Sequence, residues 1–178
     1  MPPAARITDA VVHVPPVLTG GPPALTVFIG MLPAWKGIPL ATAPGLVAAQ
    51  QASESAIKVA ENIALAAQAA AVAAAGTPAA PAAVAAATAA RAAAEAVKAA
   101  SAAAMSATIA AAAAGGASVH ACATPWPIPP HGPGVVTTGS ATVSIEKAPA
   151  CRMGDTIVEA IGPPNKIVTG CMTVIIGG

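Results

Sequence analysis

The chain has 178 residues, of which 8% are charged and 2% aromatic, and its formal net charge is +1. A conventional globular core of large side chains inside a charged shell is excluded by this composition, so small side chains and backbone geometry must provide the packing. The lysines and arginines form no cluster, which excludes the multi-contact electrostatic surface that nucleic-acid binding requires.

The N-terminal sequence MPPAARITDAVV has no basic stretch followed by an apolar segment and a small-residue cleavage site. We therefore expect synthesis in the cytoplasm without a signal peptide, and an exported or extracellular location only as part of an assembled particle. Three cysteines are an odd number, which argues against a disulfide framework and favours metal binding by at least one of them.

Composition divides the chain into three parts. Residues 1–41 and 117–178 are rich in proline, glycine and β-branched residues, whereas residues 42–116 are mostly alanine. We therefore expect the two outer parts to form one discontinuous domain, with the alanine-rich segment inserted into it.

Two short motifs alternate along the outer parts. The strand-like runs TVFIG, TVSIE and TVIIGG occupy residues 26–30, 142–146 and 173–178, and the motifs PAARITD, PAWKGI and PACRMGD occupy residues 3–9, 33–38 and 149–155. The first two strand runs start 116 residues apart and the last two 31 apart, an excess of 85 residues that locates the insertion. The sequence thus predicts three short β units of similar length.

The segment PPAAR, the related repeat PACRMGD and the GxxTVxIxG runs are similar to the PAAR-repeat family. The resemblance covers residues 1–41 and 117–178 and none of the insertion. It implies a mostly β fold, a small cone of three pseudo-repeated β-hairpin units, here with a long inserted antiparallel α-helical hairpin. Three pseudo-repeats in one chain suit a threefold partner, because one monomer then caps a trimer without a symmetry clash.

The resemblance also implies a function, that of a spike tip in a type VI secretion system or a related extracellular injection particle. The expected partner is a trimeric spike protein, of the valine-glycine-repeat type or phage-spike-like, bound through the base of the cone. Transient contact with a target membrane is expected, and an effector or cargo would bind through the hairpin. We expect no enzyme, since the sequence has no G-x-S-x-G, no H-E-x-x-H and few carboxylates outside the insertion.

All three histidines lie in the proline- and glycine-rich parts, where we expect loops rather than helices or strands. Three imidazoles and a thiolate on loops stiffened by Pro125, Pro127, Pro129 and Pro130 suit one structural zinc ion in a closed tetrahedral site. PAAR cones are typically closed near the apex by three histidines and one cysteine, which points to the same residues. The predicted ligands are His13, His120, Cys122 and His131. The alternative is that these residues are ordinary loop histidines and a small buried cysteine.

The other two cysteines align with packing positions of the repeats. Cys171 aligns with Ser140, and Cys151 aligns with Ala5 and Trp35. We therefore expect both to pack rather than to bind metal.

The insertion contains two alanine-dominated stretches, residues 44–75 and 78–114, which predict two helices. Pro44 fits a first helical turn, Gly76 a helix end, and Thr77 an N-cap before Pro78. Gly115 and Gly116 follow the second helix.

The charges of the insertion favour an antiparallel hairpin folded about Gly76 and Thr77. This register sets opposite charges against each other, although a solvated face with coincidental signs is the alternative. The predicted pairs are Glu54 with Lys98, Lys58 with Glu95, and Glu61 with Arg91.

Three roles for the hairpin follow from the sequence: a rigid wing that docks on the spike or its cargo, a membrane-inserting helical pair, or a neutral insertion. The first is favoured, because alanine is barely apolar and charges interrupt any strongly apolar run of 20 residues. The competing function is a membrane-active effector whose hairpin enters the target bilayer, with the cone as its delivery handle.

Overall fold

The computed structural model describes residues 1–125 and 130–177 of the chain. Two helices lie in the alanine-rich segment, α1 at Ala43–Ala73 and α2 at Ala80–Ala113. Pro127, Pro129 and Gly178, which entered the sequence predictions, lie outside the described residues. The strands are β1 (Pro3–Ala4), β2 (Gly20–Gly21), β3 (Phe28–Ile29), β4 (Leu32–Pro33), β5 (Val119–Pro125), β6 (Pro130–Val136), β7 (Ser144–Ile145), β8 (Ala148–Pro149), β9 (Thr156–Glu159), β10 (Asn165–Lys166) and β11 (Cys171–Ile175).

Antiparallel pairing joins five strands in the order β10-β9-β6-β5-β2, and three two-stranded pairs are formed by β1 with β11, β3 with β4, and β7 with β8. His120 lies in β5 and His131 in β6, so the prediction that the histidines lie in loops is wrong for these two. Strand β6 tolerates proline because Pro133 still accepts a hydrogen bond from the N–H of Ala160 at 3.0 Å and lacks only its own donor.

The three PA-containing motifs close into a ring through their backbones. The N–H of Ala5 donates to the carbonyl of Cys151, that of Cys151 to Trp35, and that of Trp35 to Ala5, at 2.8–3.1 Å. Each motif therefore binds the next and the third returns to the first, which is an approximate threefold arrangement. The matching β-bridges join Arg6 to Ala34, Lys36 to Ala150 and Arg152 to Ala4.

Equivalent residues of the three repeats also share buried clusters. One buried cluster lies between the short β strand pairs, and we call it the hairpin layer. It contains the fourth residue of each strand run and the first alanine of each motif: Ile29, Ile145, Ile176, Ala4, Ala34 and Ala150. A second buried cluster contains the three residues of the backbone ring, and we call it the ring layer. It consists of the residue after the first alanine of each motif, together with larger apolar residues: Ala5, Trp35, Cys151, Val11, Leu18, Val136, Ile157 and Ile167. The alanines that precede the ring positions, Ala4, Ala34 and Ala150, are small and fully buried, which lets the three backbones approach closely.

In two of the motifs, a basic and an acidic side chain close a turn. Asp9 accepts the backbone N–H of Arg6 at 2.7 Å and binds its guanidinium at 2.8 Å; Asp155 does the same for Arg152 at 2.7 and 3.2 Å. The middle motif has no aspartate, and the Ser118 hydroxyl accepts the N–H of Lys36 at 3.2 Å instead. Pro39 lies where the other two units have aspartate, and Ser118, two residues after the insertion, supplies the acceptor from the other side of it.

Glu146 joins two repeats through its carboxylate. It accepts the ammonium of Lys36 at 2.7 Å and the backbone N–H groups of Leu25 and Thr26 at 2.7 and 2.8 Å. The Lys36 side chain is only 5% exposed, so its charge depends on this partner. These bonds, chiefly that from Lys36, lower the pKa of Glu146 to about 2.

We predict that Glu146→Gln lowers the melting temperature at pH 7 by about 5 °C or more, because it leaves the buried Lys36 ammonium without its carboxylate. The unfolded carboxyl has a pKa near 4.5 and the folded one near 2. The bonds therefore stabilise the fold above pH 4.5 and lose this contribution as the pH falls towards 2. Thermal unfolding at pH 7 and at pH 2.5 measures the effect, with the exposed Glu95→Gln as control. An equal loss at both pH values would contradict this account.

The helix ends differ from those predicted. Pro44 lies in the first turn of α1 as expected, but α1 ends at Ala73 and Gly76 lies in the turn with φ of +78°. The N-cap of α2 is Ala79 rather than Thr77, because Pro81 takes the first-turn position that was assigned to Pro78. Thr77 instead closes the turn, where its hydroxyl accepts the N–H of Ala79 and donates to the carbonyl of Ala74.

The predicted charge pairing is wrong in register. Lys98 binds Glu61 at 2.9 Å and not Glu54, and Arg91 binds Gln68 at 2.7 Å and not Glu61. Both partners lie seven residues further along α1, about two turns. Side chains on a helix lean towards the N-terminus of that helix. In an antiparallel pair, a long side chain therefore reaches a partner that lies further along the other helix than the residue directly opposite. Glu95 binds Lys98 within α2 at 3.3 Å.

The ends of both helices that lie away from the turn share a core with the five-stranded sheet. Leu46 of α1 and Met105 and Ile109 of α2 pack in one buried cluster. Their partners are Ile38, before the insertion, and Val135, Val158 and Ala160 on the sheet side. The insertion is therefore anchored by its base, directly behind the strands that carry His131 and Glu159.

Candidate metal centre

Four donor atoms lie together beside the ring layer, all within 4.8 Å of one another. Three belong to predicted ligands, His13, Cys122 and His131, and the fourth belongs to Glu159. His13 lies in the bend between the β-bridges at Val11 and Val17, Cys122 in β5, His131 in β6 and Glu159 at the end of β9. The group is buried, apart from a half-buried His13.

The repeat framework positions this group. Glu159 lies two residues after Ile157 and His13 two residues after Val11, both of the ring layer. Because side chains two apart on a strand share a face, Ile157 in the ring layer directs Glu159 towards the next level of the same interior. The metal group is thus a further level of the stack that begins with the hairpin and ring layers.

The carboxylate of Glu159 is the centre of the group and is fully buried. Its Oε2 lies 2.8 Å from Nδ1 of His13 and 2.6 Å from Nδ1 of His131. The two Nδ1 atoms are 3.2 Å apart, and the rings meet edge to face with centroids at 4.7 Å. Two imidazole nitrogens thus converge on one oxygen.

Asn165 fixes the other side of this carboxylate. Its amide N–H donates to Oε1 of Glu159 at 2.8 Å, and its carbonyl oxygen accepts the backbone N–H groups of Val12 and His13 at 3.0 and 3.2 Å. Asn165 therefore holds the His13 bend and the Glu159 side chain in one geometry. Such support of ligands by outer residues is typical of metal sites.

Cys122 supplies the sulfur. Its Sγ lies 3.6 Å from the carbonyl of Val14, and burial raises the pKa of its thiol. A metal ion bound here would displace that proton, since thiolate rather than thiol is the ligand.

His120, the fourth predicted ligand, lies outside the group of four. It is fully buried in β5, two residues before Cys122 and hence on the same face of the strand. Its Nδ1 accepts the N–H of Thr19 at 3.4 Å, while its Nε2 has no hydrogen-bond partner among the described residues. Burial lowers the pKa of this imidazole, which favours the neutral form that binds metals.

The donor set fits zinc. With bonds of 2.0–2.3 Å, a tetrahedral zinc site has its donor atoms about 3.3–3.8 Å apart, between the shortest and longest separations found here. Imidazole nitrogen, thiolate sulfur and carboxylate oxygen are the ligands that zinc takes in proteins. A further buried ring nitrogen, Nε2 of His120, lies on the same face of β5 as Cys122 and has no hydrogen-bond partner among the described residues, which is costly unless a ligand binds it.

Glu159 is not among the ligands predicted from the sequence. The signal was present, because TIVEAIG places one carboxylate in an otherwise apolar, strand-like run. A buried acid of this kind requires a partner, and the partner here is a pair of imidazoles.

Comparison with known proteins adds no family assignment. Neither a scan against protein-family models nor searches among curated proteins and solved structures found a match for this chain.

Proposed function

We propose that this protein is the non-enzymatic, structural tip of a contractile injection machine and caps a trimeric spike. The observation that carries the proposal is the closed backbone ring of Ala5, Trp35 and Cys151, which gives a single chain an approximate threefold form. Such a form matches the end of a trimer, because each repeat meets one subunit in an equivalent way. The repeat motifs support the same class through their similarity to the PAAR-repeat family.

The docking surface would be the three strand pairs around the hairpin layer. They expose large apolar side chains in and next to their strands, which is unusual for a chain with so few of them. Short antiparallel pairs also leave edges to which the strands of a spike can add. The exposed residues are Met1, Leu25, Phe28, Met31, Val143, Met172, Val174 and Ile175.

The metal centre would staple the opposite end of the stack. His13, Cys122 and His131 would hold one zinc ion, with a fourth donor from Glu159 in the group or from His120 beside it. Four protein donors leave no open position for water or substrate, so the ion would be structural. A cone with few large side chains gains from such a staple.

This function predicts binding of one chain to one spike trimer. We expect co-purification with a trimeric spike of the valine-glycine-repeat type, in a ratio of one to three by native mass spectrometry. Phe28→Asp should weaken binding about tenfold or more, because it places a charge in the apolar interface.

Val59→Asp is the matched control, since Val59 on α1 is 59% exposed and Phe28 is 61% exposed. Equal binding of the spike by both variants would show that the strand pairs are not the docking surface. A ratio other than one chain per trimer would contradict the threefold cap.

A further inference from the structure

The distal half of the helical hairpin, residues 62–90, carries no charged residue, and we name it the uncharged tip. Glu61 and Arg91 border it. Its four large apolar side chains, Ile63, Leu65, Val72 and Val84, are 55–71% exposed. On the cone side the same two helices bury Leu46, Ile57, Met105 and Ile109 to 5% exposure or less. Apart from Val59, which is 59% exposed, the helices therefore expose their large apolar side chains mainly at the tip and bury or half-bury them at the base.

The polar groups of the uncharged tip are largely bonded within the hairpin. The hydroxyls of Thr77 and Thr88 donate to the carbonyls of Ala74 and Val84, and Gln68 accepts from Arg91. In the turn, Pro78 and Pro81 have no N–H, and the N–H groups of Ala74, Ala75, Thr77, Ala79 and Ala80 all have acceptors in the hairpin. A turn with these N–H groups bonded suits an environment without water, where each unpaired backbone group is costly.

The exposed apolar side chains do not form one stripe. At 100° per residue, Leu65 and Val72 lie on one side of α1 and Ile63 on the opposite side. A groove on a protein receives one face of a helix, with anchors three, four or seven residues apart; Leu65 and Val72 have this spacing, but such a groove would leave Ile63 exposed on the far side. Apolar side chains on opposite sides of the helix favour an apolar solvent that surrounds it. The uncharged tip also offers no charges for the electrostatic complementarity that guides a protein partner.

We propose that the uncharged tip inserts into the hydrocarbon of a lipid bilayer as a wedge that does not span it. From Glu61 to the turn at Gly76 the helix rises about 22 Å, less than the roughly 30 Å of hydrocarbon in a bilayer. Charged residues on both helices then remain at the head groups. By length and composition both helices are also capable of crossing a membrane, which alone is weak support. This inference is independent of the spike-tip function.

Vesicle binding tests the proposal with the full chain. We expect the protein to co-sediment with phosphatidylcholine vesicles, and equally with vesicles containing phosphatidylglycerol, because the tip has no charge to attract anionic head groups. Leu65→Asp combined with Val72→Asp should weaken binding roughly tenfold or more, since a charge in hydrocarbon is strongly unfavourable. Val59→Asp, on the cone side of Glu61, should bind as the unmodified protein does.

A fluorescent label reports the depth. An environment-sensitive dye on Ala75→Cys, in the turn, should shift to the blue with vesicles, whereas the same dye on Ser55→Cys should not. Both positions are exposed, and the three native cysteines are buried. No vesicle binding by the unmodified protein would overturn the proposal, and so would binding that requires anionic lipid. Release of an entrapped dye would overturn the non-spanning wedge in favour of a pore.

Discussion

Purified protein is expected to contain about one zinc ion per chain by elemental analysis, and its removal by a chelator should lower the melting temperature by more than about 10 °C. The reason is that binding free energy at a structural zinc site is folding free energy. The metal group holds together the His13 bend and strands β5, β6 and β9 in one place. His131→Ala and Cys122→Ser should each abolish stoichiometric zinc.

Cys171→Ser is the matched control for Cys122→Ser. Both cysteines are buried, but Cys171 lies in the hairpin layer, and serine occupies the equivalent repeat position at Ser140. This variant should keep its zinc and melt within a few degrees of the unmodified protein. Protein that contains no zinc when purified without chelators, and none after incubation with the ion, would refute the site.

The fourth ligand is decided by a pair of variants. Glu159 lies between His13 and His131, whereas His120 lies outside the group of four. We therefore expect Glu159→Gln to lose zinc and His120→Ala to retain it. The reverse pattern would restore the three-histidine, one-cysteine set that the sequence predicts.

Much of the fold follows from local rules that the sequence displays. The two helices lie where alanine dominates, and the repeated motifs mark the positions that form the ring and hairpin layers. The motif alignment also predicts that Cys151 and Cys171 pack in the interior, and they lie in the ring layer and the hairpin layer respectively.

The errors concern geometry that spacing does not encode. The register of the hairpin depends on the direction in which Lys98 and Arg91 lean, which a level-matched alignment ignores. Strand structure at His120 and His131 depends on pairing with partners distant in sequence, and local proline content suggested loops instead. Glu159 joins the metal group through the same long-range pairing, so no local motif around the histidines includes it.

Removal of residues 42–116, with a short linker in their place, is expected to leave a β part that aggregates or melts more than about 10 °C lower. The reason lies in the base of the hairpin, where Leu46, Met105 and Ile109 cover Ile38, Val135 and Val158. Burial of each such side chain contributes about 1.5–3 kcal/mol. Unfolding curves and sedimentation measure the outcome.

Two further changes separate the role of the base from that of the tip. Replacing residues 62–90 by a short glycine–serine turn should shift the melting temperature by only a few degrees, because the large apolar side chains removed are already exposed. Ile109→Ala should cost about 2–5 kcal/mol, whereas Ile63→Ala should cost less than about 1 kcal/mol, since Ile109 is fully buried and Ile63 is 59% exposed. Equal effects of these two variants would mean that the base does not anchor the insertion. The predicted difference would mean that the base of the helical hairpin is part of the core of the β part, and that the tip can be changed without unfolding the rest.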